Sequence, residues 1–162
     1  MTNRLRRGLA LLGLGLLVAL AGVGPLRAAP FLEIVVTGED RTVTLDRAEF
    51  AALPRSSVVT STPWTEGDSR FDGVLLRDLL AHLGLPAGDV VARALNDYEA
   101  AIPAADIAGY DVLVADRLDG KAMAIREKGP LWIIYPLDAH PELEGPDTEA
   151  KMVWQLSRLT VR

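Results

Sequence analysis

Beyond residue 29 the apolar character of this chain comes in short runs, each closed by Pro, Gly or a charged turn. Such punctuation leaves room only for short elements. Phe31–Thr37 (FLEIVVT) reads as a strand ending at Gly38-Glu39-Asp40, and Thr42–Leu45 (TVTL) as its hairpin partner. Asp46 with Glu49 three residues on is a capping-box pattern that opens a helix over Arg47–Leu53, stopped by Pro54. Ser57–Thr62 is β-branched and strand-like. A polar loop, Thr65–Arg70, leads into FDGVLLRDLLAHLGLP, where Leu75, Leu76, Leu79, Leu80 and Leu83 recur at helical spacing and Gly84 with Pro86 supplies the stop. Val90–Leu95 is a strand and Pro103–Ile107 one helical turn. Tyr110–Ala115 is a strand, or a short helix followed by one. Leu131–Tyr135 is a fully buried strand and Met152–Val161 the last strand. Many short strands with two small helices suggest an α+β or mostly-β domain over residues 29–162. No repeat or linker divides it.

The first 28 residues carry a different signal. Arg4, Arg6 and Arg7 precede Gly8–Gly24, 17 residues without a charge, and Ala28-Ala29 supplies the small residues a signal peptidase accepts. Five glycines dilute the run, and its Leu-rich centre, Leu9–Ala21, has the length of a signal-peptide core rather than a membrane span. A signal peptide over residues 1–28, cleaved to release an exported, soluble protein, is the expectation. Without the arginines of that segment, 13 basic residues face 22 acidic ones, a net charge of −9. A nucleic-acid footprint is basic, so DNA and RNA are excluded as partners. There is no Cys, which removes disulfides, thiolate metal sites and cysteine nucleophiles, and two His are too few for a histidine cage.

Generic catalytic signatures are missing as well. No G-x-S-x-G elbow frames a serine, no P-loop or G-x-G-x-x-G occurs, and nothing sets two carboxylates across a cleft. His82 lies on the Leu-rich helix. His140 sits in DAHPELEGPDTE, where Asp138, Glu142 and Glu144 could share a cation with it, although a solvated charge run is the simpler reading.

Three stretches are more specified than a core requires: Trp64 through Gly73, with Arg70 and Phe71; Leu95-Asn96-Asp97-Tyr98 at the end of an apolar strand; and Lys151 with Trp154. Singly they have plain explanations, a turn with local side-chain bonds at Asn96-Asp97 and a core aromatic at Trp154.

From Phe31 to Val161 the chain resembles the molybdopterin-binding fold of the sulfite oxidase superfamily. The segments that carry the resemblance, in order, are LDRAEFAALP, FDGVLLRDLL, LNDYEAAIPAADI, DVLVADRLDGKAMAIREKGPLWIIYP and KMVWQLSRLTV. It implies a compact α+β domain with mixed, barrel-like sheet structure and two or three short helices. The family's enzymes hold molybdenum through a cysteine in the loop before the D-G segment, whereas here Thr60-Ser61-Thr62-Pro63-Trp64 occupies that neighbourhood. A hydroxyl does not ionise near neutral pH as a thiol can. Small exported members of the superfamily bind pterins and report to a membrane-bound cyclic-di-GMP enzyme that controls surface attachment. That similarity implies a reduced, metal-free pterin as ligand and the periplasmic domain of a diguanylate cyclase/phosphodiesterase as partner. The alternative is a molybdopterin-dependent oxidoreductase with a Cys-free metal site.

A pterin is a flat heteroaromatic ring with a donor-rich amino-pyrimidinone edge. Trp154, then Trp64, are the candidate stacking platforms. Asp97 is the candidate carboxylate for paired hydrogen bonds, with Asn96 as donor and acceptor and Tyr98 for packing or one hydroxyl contact; Phe71 is a further candidate cofactor-binding residue. Arg70, Arg126 and Lys151 are the candidate cations for a tail or phosphate. The acidic stretch Asp138–Glu149 is a candidate docking surface for the partner.

Overall fold

The computed structural model of the protein describes residues 30–162; the expected signal peptide lies outside the described residues. Among the described residues no helix is long and apolar enough to cross a membrane. In chain order the elements begin with β1 (Leu32–Val36), β2 (Arg41–Leu45), α1 (Arg47–Ala51), β3 (Ser56–Thr60), β4 (Ser69–Leu75) and α2 (Leu76–His82). They continue with β5 (Val90–Ala94), β6 (Glu99–Ile102), α3 (Ala104–Gly109), β7 (Leu113–Leu118), β8 (Lys121–Ala122), β9 (Trp132–Ile134), α4 (Pro146–Lys151) and β10 (Leu156–Val161).

The strands form one mixed and one antiparallel sheet, and the α+β class holds. The first has the order β2-β1-β10-β5-β6. β1 and β2 make the expected hairpin, with Leu32 opposite Leu45 and Val36 opposite Arg41. β10 then lies parallel to β1, with Ile34 beside Leu159. No local turn can make a parallel pair, so the first and last strands meet only through the whole intervening chain. The second sheet has the order β3-β4-β7, and the far edge of β7 is shared by β8 and β9. One hydrophobic cluster takes in residues of both sheets, from Leu32 and Ile34 through Leu159 to Val114, Trp132 and Ile133, all fully buried. Burial of this kind supplies roughly 25 cal/mol per Å² of apolar surface and drives the collapse.

The capping box forms as read. Asp46 Oδ1 accepts from the Glu49 amide at 2.8 Å, and Glu49 Oε2 accepts from the Asp46 amide at 2.7 Å. Three differences from the sequence expectation stand out. FDGVL is the end of strand β4, not the start of a helix; only Leu76–His82 is helical. Phe71 and Gly73 face inward while Arg70 and Asp72 flank them, an alternation that the adjoining leucine repeat conceals. Gly73 allows this strand to lie tight on β7, because a Cβ there would sit 2.1 Å from the Val114 carbonyl oxygen. β6 and α4, which were not anticipated, occupy Glu99–Ile102 and Pro146–Lys151.

The third difference lies at the start of the last strand. Met152–Gln155 is not part of β10 but a crossing piece between the sheets. On one side the Ile133 amide donates to the Val153 carbonyl at 2.9 Å, and the Gln155 amide to Lys128 at 2.9 Å. On the other, the Leu95 amide donates to the Gln155 carbonyl at 2.9 Å. Gln155 adopts φ 51°, in the left-handed region, so the chain turns here before entering β10.

Candidate functional site

The three tryptophans of the chain, distant in sequence, meet at this seam between the sheets. Trp132 on β9 is fully buried, donates its Nε1–H to the Met152 carbonyl at 3.0 Å, and is backed edge-on by Phe71 at 5.5 Å. Its backbone forms an antiparallel bridge with that of Trp154. Trp64, from the β3–β4 loop, meets Trp154 edge-to-face at 5.1 Å and 76°. Such pairs contribute about 0.5–1.5 kcal/mol beyond area burial. Trp64 and Trp154 remain only half-buried and form walls of a cavity of about 380 Å³.

The rest of that cavity comes from two further pieces of chain. Asn96 and Tyr98 reach it from the β5–β6 turn, and Pro146, Glu149, Ala150 and Met152 from α4 and the residue after it. The turn is built by Asp97 in the left-handed region (φ 67°) and by Asn96 Oδ1, which accepts from the Tyr98 amide at 3.2 Å. The two Nδ2 hydrogens of Asn96 remain as donors. The Tyr98 hydroxyl donates to the Ala150 carbonyl at 2.8 Å and so ties the turn to α4. α4 begins with Pro146 at its first position, where proline's fixed φ suits a helix start. Its other end is pinned by Lys151, whose Nζ donates to Asp106 Oδ2 at 2.7 Å. The buried Tyr135 hydroxyl donates to the same oxygen at 2.9 Å, and burial, reinforced by Asp106, holds that phenol well above its usual pKa.

Of the residues singled out in the sequence, Trp154, Trp64, Asn96 and Tyr98 therefore share one cavity. The others do not line it. Asp97 faces solvent and pairs with Arg93 at 2.7 Å. Arg70 is on the outer face of β4, paired with Asp72 at 2.9 Å. Arg126 is exposed beside Glu127, and Lys151 is committed to Asp106. Phe71 supports Trp132 from behind.

Three residues went unmarked in the sequence: Glu149, whose carboxylate makes no hydrogen bond or ion pair among the described residues; Trp132; and Lys128. Lys128 Nζ lies 5.5 Å and 6.0 Å from the rings of Trp132 and Trp154, a cation–π arrangement. Glu149 had a readable signal. Gly145-Pro146 followed by acidic residues is a helix start, hidden within what reads as a solvated charge run.

A second, more open hollow of about 490 Å³ adjoins the first across Glu149 and is lined by Ser61, Thr62, Pro63, Leu137, Glu144 and Gly145 as well. The hydroxyls at its rim are occupied. Thr60 Oγ1 accepts from the Asp138 amide at 3.1 Å, Ser61 Oγ donates to Asp138 Oδ1 at 2.6 Å, and Thr62 and Thr65 share a hydroxyl bond at 2.9 Å. The Ser61 hydroxyl and amide hold the Asp138 carboxyl below its usual pKa. The stretch Asp138–Glu149 is thus ordered into 3-10 turns over 137–139 and 141–143 and then α4. His140 sits against Tyr110 at 5.0 Å and pairs with Glu142, while Asp138 turns away to Ser61.

The model of the oxidoreductase molybdopterin binding domain matches residues 30–138, well over half of the chain. The chain belongs to that family, the sulfite oxidase family. A search of curated proteins finds no match. The matched range contains Trp64, Asn96 and Tyr98; Glu149 and Trp154 lie beyond it.

The family implies a pterin-type cofactor, and the donor set can be tested against its two parts. The organic ring fits: tryptophan walls, an amide donor and an unpaired carboxylate surround a cavity within the roughly 300–1,000 Å³ typical of small-molecule sites. A protein-ligated molybdenum does not fit. The chain has no thiol, its hydroxyls at 60–62 are bonded within the protein, and among the described residues no three His, Asp or Glu side chains gather as a metal site.

Proposed function

We propose that this protein binds a reduced, metal-free pterin and acts as a non-catalytic periplasmic sensor. The observation that carries the reading is the combination in one cavity of an aromatic wall, Trp64 and Trp154, with the Asn96 amide and the Glu149 carboxylate, in a chain without a thiol. The pterin ring stacks on Trp154. Glu149 accepts paired hydrogen bonds from a ring N–H and the neighbouring amine, the role that Asp97 was expected to play. Asn96 donates to the ring carbonyl or a ring nitrogen.

The signal reaches the partner, the periplasmic domain of a membrane-bound diguanylate cyclase/phosphodiesterase, through surfaces that the ligand orders. The β5–β6 turn and α4 both line the cavity and are joined by the Tyr98–Ala150 bond, so ligand contacts bear on both at once. A sensor works only if ligand favours one state over another; tight binding alone shifts nothing. The export signal of residues 1–28 supports a periplasmic location.

Native mass spectrometry of the protein, released gently under reducing conditions, tests the reading. The expected result is a mass increment of a pterin without metal. An increment containing molybdenum and its dithiolene would overturn it in favour of the Cys-free oxidoreductase.

A further inference from the structure

From the charges around the cavity we infer that the site selects pterins with an uncharged, hydroxylated tail and rejects those that end in a phosphate or nucleotide. The inference rests on the pterin-binding reading and names the ligand class within it. Among the described residues, no Lys, Arg or His lines either hollow. The lining instead holds two carboxylates: Glu149, shared by the two hollows, and Glu144 in the outer one. A third, Asp138, is bonded to Ser61 of the same lining.

Among the described residues the cations nearby are engaged with other groups and line neither hollow. Lys151 is on Asp106, Arg70 on Asp72, Arg126 beside Glu127, and Lys128 lies over the faces of Trp132 and Trp154. A ring seated against Trp154 has the outer hollow as the adjoining space for its tail, past Glu149. A phosphate ester there brings a charge of about −1.5 to −2 among carboxylates, with no guanidinium or ammonium in the lining to pair with. A polyol brings hydroxyl hydrogens, which carboxylates accept well.

The test is calorimetric titration of the protein, under anaerobic reducing conditions, with tetrahydroneopterin and with its monophosphate ester. These share a ring and differ only by the phosphate. At low salt the monophosphate is expected to bind at least about tenfold more weakly, and the gap should shrink to within about threefold at roughly 0.5 M salt, where exposed charges are screened. Glu144→Lys should narrow the gap in the same way, by raising the affinity for the monophosphate relative to that for tetrahydroneopterin. Glu144 is exposed and forms no ion pair among the described residues, so the fold tolerates the change. Equal affinities for the two ligands would overturn charge selection and leave pterin binding standing. A gap that neither salt nor Glu144→Lys alters would also overturn it, since rejection would then be by shape. If neither compound binds, the pterin reading itself fails, and this inference with it.

Discussion

At the scale of single residues, what decides the site is which partner each polar group already has. Asp97 and Glu149 are both carboxylates near the same turn and helix, yet Asp97 is paired with Arg93 in solvent and Glu149 is unpaired on the cavity wall. Glu149→Gln is expected to weaken pterin binding by about 1.5–3 kcal/mol, the range for hydrogen bonds to a charged group, whereas Asp97→Asn, which keeps a residue tolerant of the left-handed turn, should leave the dissociation constant within about twofold. Titration calorimetry on the two variants separates the roles. Trp154→Ala should cost about 1–3 kcal/mol of stacking, with Trp154→Phe retaining most of it, followed by fluorescence quenching or calorimetry. Asp138 gives a pH prediction. Its folded pKa is depressed by Ser61, so it adds stability above the ordinary aspartate range, and that contribution is lost as pH falls through the folded value. Ser61→Ala should raise the Asp138 titration midpoint, read by carboxyl carbon NMR. It should also lower stability in urea at pH 7, with the difference fading below about pH 4. An unmoved midpoint would show that Ser61 is not the cause.

At the scale of elements, the tight approach of β4 to β7 at Gly73 sets the second sheet. A methyl group there meets backbone, the Val114 carbonyl oxygen and the Ala115 Cα, neither of which can swing aside as a side chain would. Gly73→Ala should therefore destabilise by at least about 1–3 kcal/mol, the cost of overpacking, seen as a lower urea midpoint with an unchanged slope. The binding surface should suffer with it, because β4 carries Phe71, the support of Trp132. α4 behaves differently. With six residues it is too short to be stable alone, and it stands because Lys151 and Tyr98 fasten it to α3 and to the β5–β6 turn. Sequence periodicity could not reveal such a helix, since its stability is tertiary. It misread FDGVL for a related reason: leucines at helical spacing and strand alternation overlap at Leu75, and only pairing with β3 and β7 resolves them.

At the scale of the molecule, the cavity exists because two sheets share one core and the chain crosses between them at Met152–Gln155. Ligand bound at this seam touches loops from both sheets, so it should stabilise the fold as a whole. At a free pterin concentration a hundredfold above the dissociation constant, unfolding free energy should rise by about 2.7 kcal/mol in a single cooperative transition, measurable by thermal or urea melts. Loss of that linkage in Trp154→Ala would place the effect at the cavity. By itself the sequence determined the α+β class, the hairpin, the α1 capping box, the buried β9 run, the absence of any thiolate chemistry and the tryptophans, asparagine and tyrosine that face the cavity. These follow from local pattern, turn chemistry and residue inventory, which act over a few positions. What only the tertiary structure decided was the parallel pairing of β1 with β10, the third tryptophan beneath the other two, and the placing of Glu149, not Asp97, on the cavity wall. Each depends on groups tens of residues apart being brought within a few ångströms. That proximity is set by the packing of the whole core and leaves no mark in the spacing of the residues themselves.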